Sequence, residues 1–251
     1  MWMPEAWAGL GSYGLVALVT VALISGLVRG FAGFGTAMIF LPVAAQVVGP
    51  FQAILLLIFM DIPAPLPSIP GALRHARRFE LMLLLIGTAI VLPFGFWLLG
   101  LIEREVFRFF VSGLALAMLV VLISGLRYRG QVRRGTSFFV GGLAGLAGGL
   151  AGSPGPPVIL FYMIRPLPAA VIRGTITLYL LGFDLMATGI MAGMGRLEGV
   201  FVLLGLALSV PAMAGNWLGT KLFDPAHERI YRMVAYAVIA VSALSGLPVW
   251  G

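Results

Sequence analysis

Apolar residues in this chain come in runs long enough to cross a bilayer, with almost no charge inside them, and that one feature removes most of the folds open to it. A hydrocarbon core about 30 Å thick takes roughly 20 residues of α-helix at about 1.5 Å per residue. A soluble domain of 251 residues would need far more charge to wet its surface. Here 61% of residues are hydrophobic, only 10% are charged, and the mean hydropathy is +1.07. Strand alternation is absent from the runs, which argues against a membrane β-barrel. The expected fold class is an all-α polytopic membrane protein.

The net charge of +7 is no nucleic-acid footprint, because the basic residues sit in short clusters between apolar runs, where topology signals belong. Cysteine is absent, so disulfide and thiol chemistry are ruled out. The opening stretch MWMPEAWAGLGSYG has no Lys or Arg and carries Glu5, unlike the basic start of a cleaved signal, so the first run reads as a retained helix. Ten segments follow from the breakers: 12–29, 34–48, 51–68, 79–101, 106–126, 136–150, 155–165, 168–194, 198–219 and 230–249. The pairs at 12–48 and 136–165 are unusual. Each member reads as short for a full span, and glycines divide each pair, as either a broken helix or a re-entrant hairpin.

The chain also repeats itself. Arg78, Phe79, Glu80, Gly87 and Pro93 return, at an offset of 118, as Arg196, Leu197, Glu198, Gly205 and Pro211. Gly35-Thr36 answers Gly152-Ser153, and Val-Phe-Arg at 106–108 answers Ile-Tyr-Arg at 230–232. This order of matches predicts two membrane repeats, 1–130 and 131–251, in a single transmembrane domain. The basic loops 73–80 and 127–135 lie two spans apart and so on one side, the cytoplasmic side by the positive-inside rule. Counting crossings from there puts Arg78 inside and its counterpart Arg196 outside, so the repeats are expected to have inverted topology. Only Arg104, Arg108 and Arg196 then fall outside, and both termini are expected on the outer, periplasmic side of an inner membrane.

Inverted repeats with a broken helix in each half place a transported solute near the midplane. Half-helix N-termini carry unpaired N–H groups and the positive dipole end, which suits an anion. Gly33, Gly35, Gly152 and Gly155 would let a ligand approach bare backbone, and Thr36 and Ser153 offer hydroxyls at matching positions. Packing alone is the competing reading for glycines such as Gly141, Gly145 and Gly149. A phosphate loop matches poorly, since no strand precedes the glycines and no Walker lysine follows them. Arg29 has two readings: deep in a re-entrant hairpin it needs a partner, and an anionic substrate would serve; at the end of a full span it is an anchor. Arg173 reads as an interfacial charge or a site residue. Asp184 and Asp61 lie in apolar sequence and are candidates for proton coupling, although Asp61 also stands where a cap before Pro63, Pro65, Pro67 and Pro70 would be expected. Glu80 and Glu198, at helix starts, are explained by the helix dipole.

The breaks GLVRGFAGFGTAMIFLP (26–42) and GLAGLAGGLAGSPGPPVIL (142–160), each near the start of a half and followed by an apolar run, resemble the TauE/SafE-type sulfite exporter family. The resemblance extends over most of the chain and includes the duplicated R-x-E…Pro pattern. Phe34, Thr36 and Ala37 depart from the family's small residues, and Ser153-Pro154 interrupts the second run. The resemblance implies transport of small sulfur-containing anions: sulfite, sulfoacetate, taurine or related organosulfonates. The expected partners are therefore a small anionic substrate and the lipid bilayer, with no nucleic acid, no cofactor and no metal; a homodimer is admissible. Two rival classes stand beside the transporter: a passive anion channel, and an integral membrane enzyme. The latter is poorly served by two loop histidines, no cysteine and scattered acids.

Overall fold

Helix boundaries fall where the sequence changes its backbone chemistry. The computed structural model describes residues 11–124, 135–163, 165, 167–224 and 227–249. Glu5 and the basic run at 127–134 lie outside these. Every regular element among the described residues is helical: α1 Gly11–Ala32, α2 Thr36–Val47, α3 Pro50–Asp61, a 3-10 turn Leu66–Ser68, α4 Ile69–His75, α5 Arg78–Leu99, α6 Arg104–Ser124, α7 Thr136–Ala151, α8 Gly155–Met163, α9 Ala169–Gly193, α10 Gly199–Leu222 and α11 Glu228–Gly246. Five of them (α1, α5, α6, α9 and α10) are long and apolar enough to cross a membrane, and α3 with Leu66–His75 makes a sixth span if taken as one broken helix.

Two segments differ from the sequence expectation. The run at 51–68 stops as a helix at Asp61 and resumes at Ile69. Pro63, Pro65 and Pro67 remove the N–H donors a continuous helix would need, whereas Pro70 falls in the first turn of α4, where that donor has no partner anyway. The member read as 12–29, and as short for a span, instead has 22 residues, about 33 Å of helix. It runs on through Gly30 to Ala32, which puts Arg29 in the last turn of a helix of full crossing length.

Burial sorts the helices. On α2 and α3, Ile39, Phe40, Ala44, Ile54, Leu55 and Leu56 are completely shielded, as expected of short helices enclosed by others. The long helices turn large apolar side chains outward, among them Phe79, Ile90, Phe94 and Trp97 of α5 and Val210 and Trp217 of α10. Apolar surface on that scale is stable against lipid and not against water.

The chain forms two compact units, each drawing on both sequence halves. The described residues within Met1–Pro63, Glu103–Val120 and Leu197–Gly251 make the first. Its seam is α1 on α10: a methyl group placed at Gly26 would overlap the Ala212 carbonyl, and one at Gly219 the Leu27 carbonyl. Two arginines of α6 close helix ends in this unit. Arg104 donates to the carbonyls of Ala45 and Gln46 at 3.1 and 2.6 Å, and Arg108 to those of Gly246 and Leu247 at 3.0 and 3.3 Å. Both place a cation on orphan carbonyls at the negative end of a helix dipole.

The second unit comprises the described residues within Ala64–Ile102 and Val121–Arg196. Its seam is α5 on α7, where a methyl at Gly141 would overlap the Leu84 carbonyl and one at Gly149 would sit 2.7 Å from the Gly95 Cα. Thr88 crosses the seam, donating to the Gly141 carbonyl at 2.9 Å, and its hydroxyl lies 2.9 Å from that of Tyr179 on α9. Leu84, Ala144, Val158, Phe161, Tyr162 and Tyr179 form the core around it. The glycines at 141, 145 and 149 are therefore packing glycines, since association in lipid rests on close backbone approach.

Candidate functional site

The first break is built by glycine. Gly33 (φ 78°) and Gly35 (φ 107°) both occupy the left-handed half of backbone space, so the chain leaves α1 and re-enters a helix at Thr36 within three residues. Gly35 caps α2 without a side chain, and helix geometry leaves the N–H groups of Thr36, Ala37 and Met38 without intrahelical acceptors. Arg29 reaches this end of α2 from the last turn of α1. Its Nη1 lies 2.9 Å from Asp61 Oδ1 and 3.5 Å from Thr36 Oγ1. The structure thus brings Arg29, Gly33, Gly35, Thr36 and Asp61 into one corner of the first unit. Asp61 is the partner that the buried-arginine reading called for, although Arg29 stands at the end of a helix of full crossing length, as the anchor reading had it.

Side-chain exposures of 27% and 26% make the Arg29–Asp61 pair half-buried, dry enough for its charges to interact strongly and open enough for a solute to reach. The contacts of the guanidinium within the described residues use Nη1, and an arginine can present its Nε/Nη2 edge to a second acceptor.

The two φ values separate the glycines by a test. There is room around Gly35, whose added methyl would meet only side-chain carbons at 3.6 Å and beyond, so any cost of replacing it is conformational. Gly35→Ala is expected to lower stability by about 1–2 kcal/mol. Gly33, at φ 78°, is exposed with nothing within 4 Å of an added Cβ and lies nearer the left-handed well that asparagine tolerates, so Gly33→Asn should cost less than Gly35→Asn. Thermal midpoints of the three variants and the parent in one detergent check both statements.

The second break lies in the second unit. Gly152 ends α7, with its N–H and that of Ser153 folded back on the carbonyls of Gly148 and Ala147 at 2.9 and 3.4 Å. Ser153 and Pro154 are buried, and Phe183 of α9 packs on Gly148 so closely that a methyl there would strike its ring. The helix that follows begins Gly155-Pro156-Pro157, and neither proline has an N–H. Its N-terminus therefore offers an anion fewer donors than α2 does. The positions matching the Arg29–Asp61 pair are uncharged: those matching Arg29 at offsets of 117 and 118 are Leu146 and Ala147, and those matching Asp61 are Leu178 and Tyr179.

Arg173 and Asp184 share α9 but do not form one site, since eleven residues of helix separate them by about 16 Å. Arg173 is exposed one turn into the helix, whereas Asp184 is half-buried at mid-helix, its backbone carbonyl accepting from Thr188 at 2.7 Å.

A charge cluster that the sequence reading missed lies elsewhere in the second unit. Glu80, in the first turn of α5, accepts two hydrogen bonds from Arg165 at 2.7 and 2.9 Å and one from Tyr162 at 3.2 Å, and pairs with Arg77 at 2.9 Å. Arg165 also lies over the Phe161 and Tyr162 rings, 5.0 and 5.7 Å from their centroids. The hydrogen bonds to Glu80 outweigh desolvation and raise the Arg165 pKa above its already high ordinary value. The helix dipole alone does not account for Glu80. The signal available in sequence was Arg165 itself, a lone charge closing an apolar run.

Long apolar helices, two glycine-built breaks and a half-buried charge at one of them define a multi-pass α-helical membrane protein of the transporter kind. The chain belongs to the sulfite exporter TauE/SafE family, whose model matches residues 18–246. No curated protein and no solved structure matches it.

Proposed function

We propose that this protein carries small sulfur-containing anions (sulfite, sulfoacetate or taurine-like sulfonates) across the inner membrane by alternating access, with the anion held at the first break. The observation that carries this reading is Arg29 beside the donor-rich start of α2. A guanidinium edge, a hydroxyl and three backbone N–H groups form a set of donors suited to a compact oxyanion. Gly33, Gly35 and Thr36 shape that site. Gly152, Ser153 and Gly155, with Arg173, are the candidates from the second half, and a proton is the proposed coupling ion through Asp61 or Asp184. The repeats 1–130 and 131–251 are read as inverted, with both termini periplasmic. In support, each half lends its first helix to a glycine seam with a long helix of the other half, α1 on α10 and α7 on α5, each the fourth of its half when α3 and α4 are counted as one broken helix.

The test is a thermal-shift series on purified protein in detergent with sulfite, sulfoacetate, taurine, isethionate, sulfate and simple carboxylates. Stabilisation by sulfur oxyanions that disappears in Arg29→Ala is the expected result. No shift with any of them would remove the substrate class and return Arg29 to being an anchor. A passive channel is distinguished in vesicles, where its flux would neither saturate nor show counterflow.

A further inference from the structure

We infer that Asp61 is the built-in counter-ion of the anion site, and that each anion bound at Arg29 is accompanied by one proton taken up on the Asp61 carboxylate. This rests on the proposed function above and deepens it by fixing the coupling residue and the stoichiometry.

The argument is one of charge. Arg29 and Asp61 neutralise each other across 2.9 Å, both about three-quarters shielded from water. A neutral pair has little attraction for an anion. An anion arriving on the Nε/Nη2 edge of Arg29 would stand within a few ångströms of the Asp61 carboxylate. Two like charges so close in a poorly hydrated corner disfavour one another's ionised form. Protonating Asp61 removes that repulsion and frees the guanidinium charge for the substrate, whether or not the side chain then swings away. The balance is simple: one anion and one proton enter, and a neutral Arg29–Asp61 pair becomes a neutral set of Arg29 cation, anion and protonated Asp61. No bond other than the carboxyl O–H is made.

Asp61 is the acid in direct contact with Arg29, at 2.9 Å. The helices packed against α1, α2 and α3 are α10, α11 and, at the far end of α2 through Arg104, α6. The titratable side chains described on them toward this end include Lys221, Arg229, Tyr231, Arg232 and Tyr236, with Asp224 and His227 between the two helices. Tyr231 stacks against Phe31 and donates to the Leu222 carbonyl, and Lys221 lies over the Trp217 ring. Two further acids flank α10: Asp224, just past its end on this side, pairs with His227 at 2.9 Å with both side chains more than half exposed, and Glu198 caps the opposite end and accepts from Gln52 at 2.6 Å. The site is also specific to the first half, since the matching positions of the second carry no charge.

The experiment is isothermal titration of the full chain in lipid nanodiscs with isethionate and methanesulfonate, whose charge is fixed over this range, and with sulfite. Each titration is run in two buffers of different ionisation enthalpy so that protons are counted. The expected result is close to one proton taken up per sulfonate bound at pH 8, with apparent affinity falling up to tenfold for each pH unit of increase. Asp61→Asn should take up no proton, bind independently of pH from 6 to 8, and bind more tightly than the parent at pH 8. Arg29-dependent binding without proton uptake in the parent chain overturns this inference and leaves the proposed function standing. So does uptake that survives in Asp61→Asn and vanishes in Asp184→Asn. If no probe binds in an Arg29-dependent way, both readings fall together. Should Asp61→Asn not fold, the proton count and pH slope of the parent chain decide the question alone.

Discussion

Gly141→Ala is expected to unmake the α5–α7 seam, while the same change one residue on, Gly142→Ala, leaves the protein as stable as before or slightly more so. The added methyl at Gly141 falls on the Leu84 carbonyl, a backbone atom that no side-chain rotation can move aside. The helices must separate, and Thr88 then loses its 2.9 Å hydrogen bond to the Gly141 carbonyl. Overpacking costs of about 1–3 kcal/mol apply to cores that yield through their side chains, so this rigid contact belongs at or above the upper end. At Gly142 the nearest atom is a Val91 methyl at 3.4 Å, an ordinary contact, and alanine carries a helix-propensity advantage of about 1 kcal/mol. Thermal midpoints and the monodisperse fraction after detergent extraction give the comparison. Equal behaviour of the two variants would mean that the α5–α7 contact is looser than described.

Glu80→Ala is the second large effect. Its carboxylate holds two guanidiniums and a phenol, and both it and Arg165 are more than four-fifths shielded, with exposures of 17% and 15%. Removing one partner of a buried pair leaves the other charge uncompensated, at about 3–5 kcal/mol in full burial; partial exposure reduces this to about 2–3 kcal/mol. Glu198 provides the contrast. It is the sequence counterpart of Glu80, yet it is exposed and its described bond is to Gln52, so Glu198→Ala should cost under about 1 kcal/mol. Denaturation midpoints of the two alanine variants would differ by well over a factor of two in free energy. Similar values would return Glu80 to a simple dipole role.

That contrast marks where sequence reading stops. R-x-E at 78–80 and at 196–198 look alike on paper, and a helix-dipole account serves both. What separates them is the end of another broken helix pair, which delivers Arg165 and Tyr162 to Glu80 from more than 80 residues away. Arg29 and Asp61 show the same limit more gently. Each was legible as an unusual charge in apolar sequence, but a separation of 32 residues gives no sign that one answers the other. Distant pairing depends on helix rotation and crossing, and those are set by side-chain packing that no local pattern encodes.

Other features needed no tertiary information. Hydrophobic runs of bilayer length determine an α-helical membrane protein, because lipid leaves no other way to satisfy the backbone of such segments. Glycine and proline determine the breaks, and Gly33, Gly35 and Gly152 do take the left-handed conformations that only such residues adopt cheaply. The tertiary structure alone decided which glycines do something else. Gly26 and Gly141 look no different in sequence from their neighbours, yet their missing Cβ atoms are what allow a partner backbone to lie against them. It also decided that each compact unit is assembled from both halves of the chain, since a helix that can hold its own hydrogen bonds still has to find, by fit, the surface that its small residues match.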